Sequence, residues 1–176
     1  MSFLSVENQE NENQENDFLQ DLDIGKKFVM QRHDWDCGVA CLAMILNKNY
    51  EEVFADFQSK TKSCNSINQK GISFASIKTY LENNNKIISI KNKNELNIEL
   101  LQNQASRNED YLVILKNDLG FTHFCFIHDK ILFDSEQGVV ILDDVVDYED
   151  YLAFSKFTKF KYLSKITNLS QAILDI

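Results

Sequence analysis

The sequence predicts an α+β fold: apolar residues recur at helical spacing in the first half of the chain, and short β-like apolar runs fill the second. The two kinds of element come in blocks rather than in alternation, which argues against a doubly wound α/β sheet. At 176 residues the chain has the length of one domain, enough to bury roughly 70% of the surface its unfolded form exposes. A composition 44% hydrophobic and 26% charged is that of an ordinary globular chain.

Residues 1–16 are dominated by Glu, Asn and Gln, and no apolar period follows Val6. They read as a disordered or flexible tail, with residues 17–176 as a single domain. From Asp36 the pattern turns helical. Val39, Ala40, Leu42, Ala43, Met44, Ile45 and Leu46 run nearly all round, as in a helix buried on most sides. Asp36 has the chemistry of an N-cap, its carboxylate able to accept from first-turn N–H groups, and the helix should end in Asn47-Lys48-Asn49. A second helix begins near Tyr50 with Val53, Phe54 and Phe57 inward; a third runs from Ser73 to Glu82 after Gly71.

Beyond Asn83-Asn84-Asn85 the character changes. Lys86 to Ile90 reads as a strand and Glu95 to Gln104 as a short helix or helical turn. Tyr111 to Leu115 suits a central strand. Thr122 to His128 and Ile131 to Phe133 follow, joined by a tight turn at Asp129-Lys130. Gly138 to Leu142 and a last strand near Phe157 to Leu163 complete a mostly antiparallel sheet.

The formal net charge of −9 repels phosphate backbones at long range. Lys86, Lys91 and Lys93 are too diluted by asparagine to form a basic patch, so neither nucleic acid nor an anionic membrane surface is an expected partner. The four cysteines lack the density of a disulfide framework and point to a reducing compartment. No basic segment leads into an apolar signal region, and no apolar run approaches the roughly 18 residues of a membrane span. The expected location is the cytoplasm, or outside the cell by export without a cleavable signal.

The densest chemical signal is Gln31-Arg-His-Asp-Trp-Asp36-Cys37-Gly38-Val-Ala-Cys41. A thiol in the first turn of a buried helix lies beside unpaired N–H groups and the positive end of the helix dipole, which favour the thiolate. Gly38 lets a carbonyl approach that terminus closely. Gln31 could aim a neutral amide N–H at a developing oxyanion. His33 and Asp34 read as exposed loop residues, and His33 would have to fold back onto its own helix start to act as a base. A base from a distant, rigid strand fits better. His123 opens an apolar run after the flexible Asp118-Leu119-Gly120 turn, with alternation setting His123, Cys125 and Ile127 on one face and Phe124, Phe126 and His128 on the other. His128, at the hairpin end, reads as exposed. Asp134 closes the next run and could accept the Nδ1 proton of His123 to fix its tautomer, or simply start a turn by bonding its own backbone. Convergence of Cys37, Cys41, His123 and Cys125 on zinc is disfavoured, because Cys41 lies one helical turn after Cys37 rather than in a short knuckle. No metal and no cofactor are expected. Cys41 and Cys125 read as small core residues and Cys64 as an incidental exposed thiol.

Taken together, Gln31-x5-Cys37, Asp36-Cys37-Gly38-x-Ala40-Cys41, then His123-Phe124 and an acid at the end of the following strand, resemble the C39-like papain superfamily. The Trp35-Asp36-Cys37-Gly38 start is also similar to the guanylyl-cyclase-like branch of that fold. The resemblance covers residues 28 to 160 and implies a papain-like fold with the nucleophile helix packed on the sheet. It also implies Cys37 as nucleophile, His123 as base, Asp134 as orienting acid and Gln31 as oxyanion donor. Two departures stand out: the family's Asp-Pro is here Asp134-Ser135, and the transporter of exporter-fused members is missing. The expected activity is hydrolysis of amide bonds in a protein or peptide substrate. Glutamine deamidation or acyl transfer of the effector kind, and a non-catalytic binding module, are the alternatives. Nucleotide chemistry is disfavoured, since no glycine-rich phosphate loop is present.

Overall fold

The structure, a computed structural model, describes residues 6–60, 71–92, 103, 105, 108–144, 151 and 159–170. Among them the helices come first: α1 (Val6–Asp21), α2 (Cys37–Leu46), α3 (Tyr50–Lys60) and α4 (Phe74–Asn83). The strands follow as β1 (Lys86–Asn92), β2 (Asp110–Lys116), β3 (Thr122–His128), β4 (Ile131–Asp134), β5 (Gly138–Ile141) and β6 (Lys159–Asn168). They form one sheet in the order β1-β6-β2-β3-β4-β5, every pairing antiparallel. The α+β expectation holds, and the arrangement is compatible with a papain-like fold.

α2 can be apolar on nearly every side because it is enclosed on nearly every side: all residues from Cys37 to Ile45 are buried. Its end is set by Asn47, whose left-handed φ of 55° turns the chain so that Lys48 N–H reaches back to the Ala43 carbonyl at 2.9 Å. A short polar side chain tolerates that conformation better than a branched one. α4 starts at Ser73, whose hydroxyl accepts from the Ser76 N–H at 3.1 Å, as an N-cap should.

The central strands are buried on both faces, which is why β2 and β3 read as nearly continuous apolar runs. Leu112, Ile114, Phe124, Phe126 and Phe133 face the helices. Val113, Leu115, Cys125, Ile127 and Leu132 form a second cluster on the opposite face. The β3–β4 hairpin closes at Asp129 and Lys130, with φ of 50° and 65°, the doubly left-handed turn whose twist matches antiparallel strands. β6 lies later than the sequence suggests, reaching Asn168, because it pairs with β2 along one side and β1 along the other. The helical turn expected over 95–104 falls almost entirely outside the described residues, as does Cys64.

Residues 6–16, expected as part of a flexible tail, are instead helical. The reason is polar docking, which leaves no apolar period to read. The Asn16 carboxamide donates to the Phe28 carbonyl at 3.1 Å and accepts from the Phe28 N–H at 2.8 Å. The Glu15 carboxylate accepts from the Val139 N–H, and Leu19 supplies the buried apolar anchor. Gly138 permits this approach: its φ is 108°, and a Cβ there would stand 2.7 Å from Glu15 Oε1. Gly138→Ala is therefore expected to cost about 1–3 kcal/mol of stability, chiefly through backbone strain, as read by urea denaturation.

Candidate active site

The site is assembled from three chain segments: the loop before α2, the start of β3 and the end of β4. Asp36 shapes the loop. Its carboxylate is fully buried yet does not cap α2, contrary to the sequence expectation. It turns back instead. Oδ1 accepts from the N–H groups of Arg32 and His33 at 3.1 and 3.2 Å. Oδ2 accepts from the Tyr50 hydroxyl at 2.5 Å and from His33 Nδ1 at 2.9 Å. Burial, reinforced by the hydrogen bond to Asp36, pushes the Tyr50 phenol up, so it stays protonated and donating. The loop's two backbone donors are thus satisfied, while the first-turn N–H groups of α2 are not taken by the Asp36 side chain. Asp36→Ala would orphan two backbone donors and a phenol; the expected loss is about 3 kcal/mol, measured by chemical denaturation.

Asn117 steadies the turn that delivers His123. Its Oδ1 accepts from the Phe121 N–H at 2.9 Å, and its C=O from the Gly120 N–H at 3.0 Å. The turn read as flexible is therefore pinned. His123 is buried, and its Nε2 lies 2.7 Å from Asp134 Oδ1. The ring nitrogen on the acid is Nε2, not the Nδ1 anticipated from sequence. Asp134 also starts a local turn, its Oδ1 accepting from the Glu136 N–H at 2.9 Å. Its other oxygen accepts from the Tyr151 hydroxyl at 2.8 Å.

Burial alone would raise the Asp134 carboxyl and lower the His123 imidazolium. Hydrogen bonding and charge reverse both. Against the cost of burial, the His123 bond and charge, with the Glu136 N–H and Tyr151, hold Asp134 below the ordinary carboxylate range. Against the same cost, hydrogen bonds with Asp134, Cys125 and Cys37 hold His123 above the ordinary imidazole range. Burial pushes the Cys125 thiol itself up to about 12, so at neutral pH it is uncharged. The standing negative charge beside the ring is then the Asp134 carboxylate.

α2 packs on the Phe124 side of β3: a Cβ on Gly38 would stand 3.6 Å from the Phe124 ring, and the Cys41 thiol donates to the Phe124 carbonyl at 3.1 Å. His123 belongs to the other face by alternation. Cys37 reaches it because both lie at the ends of their elements, where the helix terminus meets the first residues of the strand. Gln31 is tied to the end of β4: its N–H donates to the Ser135 carbonyl at 3.0 Å, and its Oε1 accepts from the Ser135 hydroxyl at 3.0 Å. The chain thus links Gln31, Ser135, Asp134, His123 and Cys37 in one contiguous cluster.

Sequence reasoning overlooked Tyr151, Ser135 and the contact of Cys125 with the imidazole. Only Ser135 left a trace, as the departure from Asp-Pro. His128 is a correction: it is not exposed but only 17% accessible, paired through Nδ1 with Asp110 Oδ1 at 2.6 Å. The β2–β3 register sets Asp110 directly opposite it, and Lys26 completes the group at 3.2 Å from Asp110. His33 is exposed, as expected, and stacks on Trp35 with ring centroids 4.8 Å apart.

Among the described residues, His123, Cys125 and Asp134 offer ligand atoms within 4.8 Å of one another. Cys37 and Cys41, the other residues weighed as zinc ligands, are not in that group, and the Cys41 thiol donates to the Phe124 carbonyl. The close His123–Asp134 pair already shares a proton, and Cys125 keeps its own. The cluster is chemically suited to moving a proton. No helix among the described residues is long and apolar enough to cross a membrane.

The chain matches none of the curated proteins compared with it. A model of the peptidase C39 family matches residues 25–159, a span that takes in Gln31, Cys37, His123 and Asp134 and leaves α1 outside. Since that span is well over half of the 176 residues, the chain belongs to the peptidase C39 family.

Proposed function

We propose that the protein is a cysteine peptidase acting on a protein or peptide, with Cys37 as nucleophile, His123 as acid and base, Asp134 as the group that orients and charges His123, and Gln31 as an oxyanion donor. The observation that carries this reading is the buried His123–Asp134 pair at 2.7 Å, with the thiol of a helix-start cysteine contributing a hydrogen bond to the same ring. With Nε2 on the acid, Nδ1 is the nitrogen that serves the thiol. The proton passes from Cys37 Sγ to His123, leaving a thiolate beside an imidazolium that Asp134 stabilises.

The thiolate attacks the amide carbon, and negative charge moves to the carbonyl oxygen. That charge is received by the Gln31 Nε2–H and the Cys37 backbone N–H, the latter beside an α2 terminus that the Asp36 side chain does not cap. Collapse of the tetrahedral species breaks the C–N bond as His123 returns its proton to the departing amine. Water then loses a proton to His123 and attacks the thioester, and the acid product and free thiol are regenerated. The same machinery serves deamidation or acyl transfer, so the nature of the acyl donor separates them.

The test uses p-nitrophenyl acetate, which acylates a competent thiol without any recognition of sequence. Peptide mapping should find the acetyl group on Cys37, and release of nitrophenol should vanish in Cys37→Ala. Unchanged release in that variant sinks the proposal. Intact mass analysis of candidate protein substrates then distinguishes chain cleavage from the far smaller change of deamidation.

A further inference from the structure

We propose that Ser135 is a positioning residue for the oxyanion, its hydroxyl fixing which face of the Gln31 carboxamide is offered to the reacting carbonyl. The inference rests on the reading of Gln31 as an oxyanion donor.

A carboxamide has two ends of nearly the same size and opposite use: Nε2 donates, Oε1 only accepts. Turned one way, Gln31 stabilises a developing oxyanion; turned the other, it sets a lone pair against it. The side chain has no means of choosing by itself. Ser135 supplies the choice. Its residue is fully buried, and its hydroxyl donates to Gln31 Oε1 at 3.0 Å. Oε1 is the one acceptor of that hydroxyl among the described residues. Were the amide to flip, the hydroxyl could accept from Nε2, but its own hydrogen would then be buried with nothing to receive it, and an orphaned buried donor is costly. The flipped form is therefore the minor one.

The backbone reinforces the setting. Gln31 N–H donates to the Ser135 carbonyl at 3.0 Å, so both ends of the Gln31 residue are registered on the same partner. The Gln31 Nε2 hydrogens, by contrast, have no protein acceptor among the described residues. One donor group is held in place by its opposite end and left open for a ligand. Because Ser135 follows Asp134 directly, the end of β4 fixes the imidazole through one residue and the oxyanion donor through the next.

Two probes of the same thiol separate this role from a general structural one. Acylation by p-nitrophenyl acetate develops an oxyanion; alkylation by iodoacetamide displaces iodide at a saturated carbon and develops none. In the full-length chain, Ser135→Ala is expected to slow acylation about tenfold and Gln31→Ala about a hundredfold, with alkylation at pH 6 unchanged in both. Ser135→Thr, which keeps the hydroxyl, should recover most of the acylation rate. Gln31→Glu keeps the acceptor for Ser135 and removes the donor, so it should acylate as slowly as Gln31→Ala while retaining the wild-type melt. In a Gln31→Ala background, Ser135→Ala should add nothing. The proposal is overturned if Ser135→Ala leaves acylation untouched, slows both reactions together, or acts equally without Gln31. If instead the wild type fails to alkylate at Cys37 at pH 6, it is the nucleophile assignment that fails, and the two failures are told apart by the probe that reports them.

Discussion

At pH 6 the His123→Ala variant is expected to react with iodoacetamide at Cys37 about a hundredfold more slowly than the wild type. The magnitude comes from thiol chemistry. An unassisted cysteine ionises near pH 8.5, so only about 0.3% of it is thiolate at pH 6, and the reacting species is the thiolate. In the wild type the imidazole is protonated at pH 6, since against the cost of burial its neighbours Cys125, Asp134 and Cys37 hold His123 above its usual range. The variant removes the group that takes the thiol proton. Cys37→Ala sets the background from the remaining cysteines, of which Cys41 and Cys125 are fully buried. Equal rates in wild type and His123→Ala would mean that ring and sulfur do not cooperate, and the hydrolase reading would be lost.

Asp134→Asn should lower acylation by p-nitrophenyl acetate by up to about 10⁴-fold, the loss that the same replacement causes in a serine-protease triad. The substitution keeps the size of the side chain but removes the charge that holds His123 protonated and the acceptor that fixes its Nε2–H. It also leaves the Tyr151 hydroxyl, now donating at 2.8 Å to Oδ2, with a poorer partner. Stability should follow the same pair with a definite sign. Asp134 is depressed below its ordinary 3.8 in the folded state, so its contribution is complete above that value and fades as pH falls through the folded one. His123 is raised above its ordinary 6.5, so its contribution is complete below that value and fades as pH rises through the folded one. The wild type should therefore exceed Asp134→Asn in melting temperature most clearly between about pH 4 and 6.5, with the gap narrowing toward both acid and alkali. A gap that widened into the alkaline range would contradict the assignment.

What could be read from the sequence was whatever depends on local pattern. Cys37 at a helix start, His123 opening an apolar strand and Asp134 closing the next are each visible within a few residues, and two antiparallel strands joined by Asp129-Lys130 must bring the last two near each other. Which ring nitrogen meets the acid is not local: it depends on how the β3 and β4 ends splay, and the expectation of Nδ1 was reversed. Asp36 misled because an aspartate before a helix caps it by default, whereas here Tyr50 and the 32–33 backbone compete for the carboxylate and win. Tyr151 lies 17 residues from Asp134 in a stretch with no strand pattern, and nothing in its neighbourhood announces the contact. His128 looks exposed from the sequence because its partner, Asp110, is fixed by strand register rather than by proximity in the chain.

An open β-sheet ends in rows of unpaired backbone groups, which invite a second chain to add a strand. β5 is one such border, and α1 lies along it, with the Glu15 carboxylate occupying the Val139 N–H. This helix stands outside the stretch shared with the family. Its run of glutamate, asparagine and glutamine, which looks like dispensable lead-in, supplies an acceptor from within the chain to one N–H of that border, where an added strand would otherwise bond.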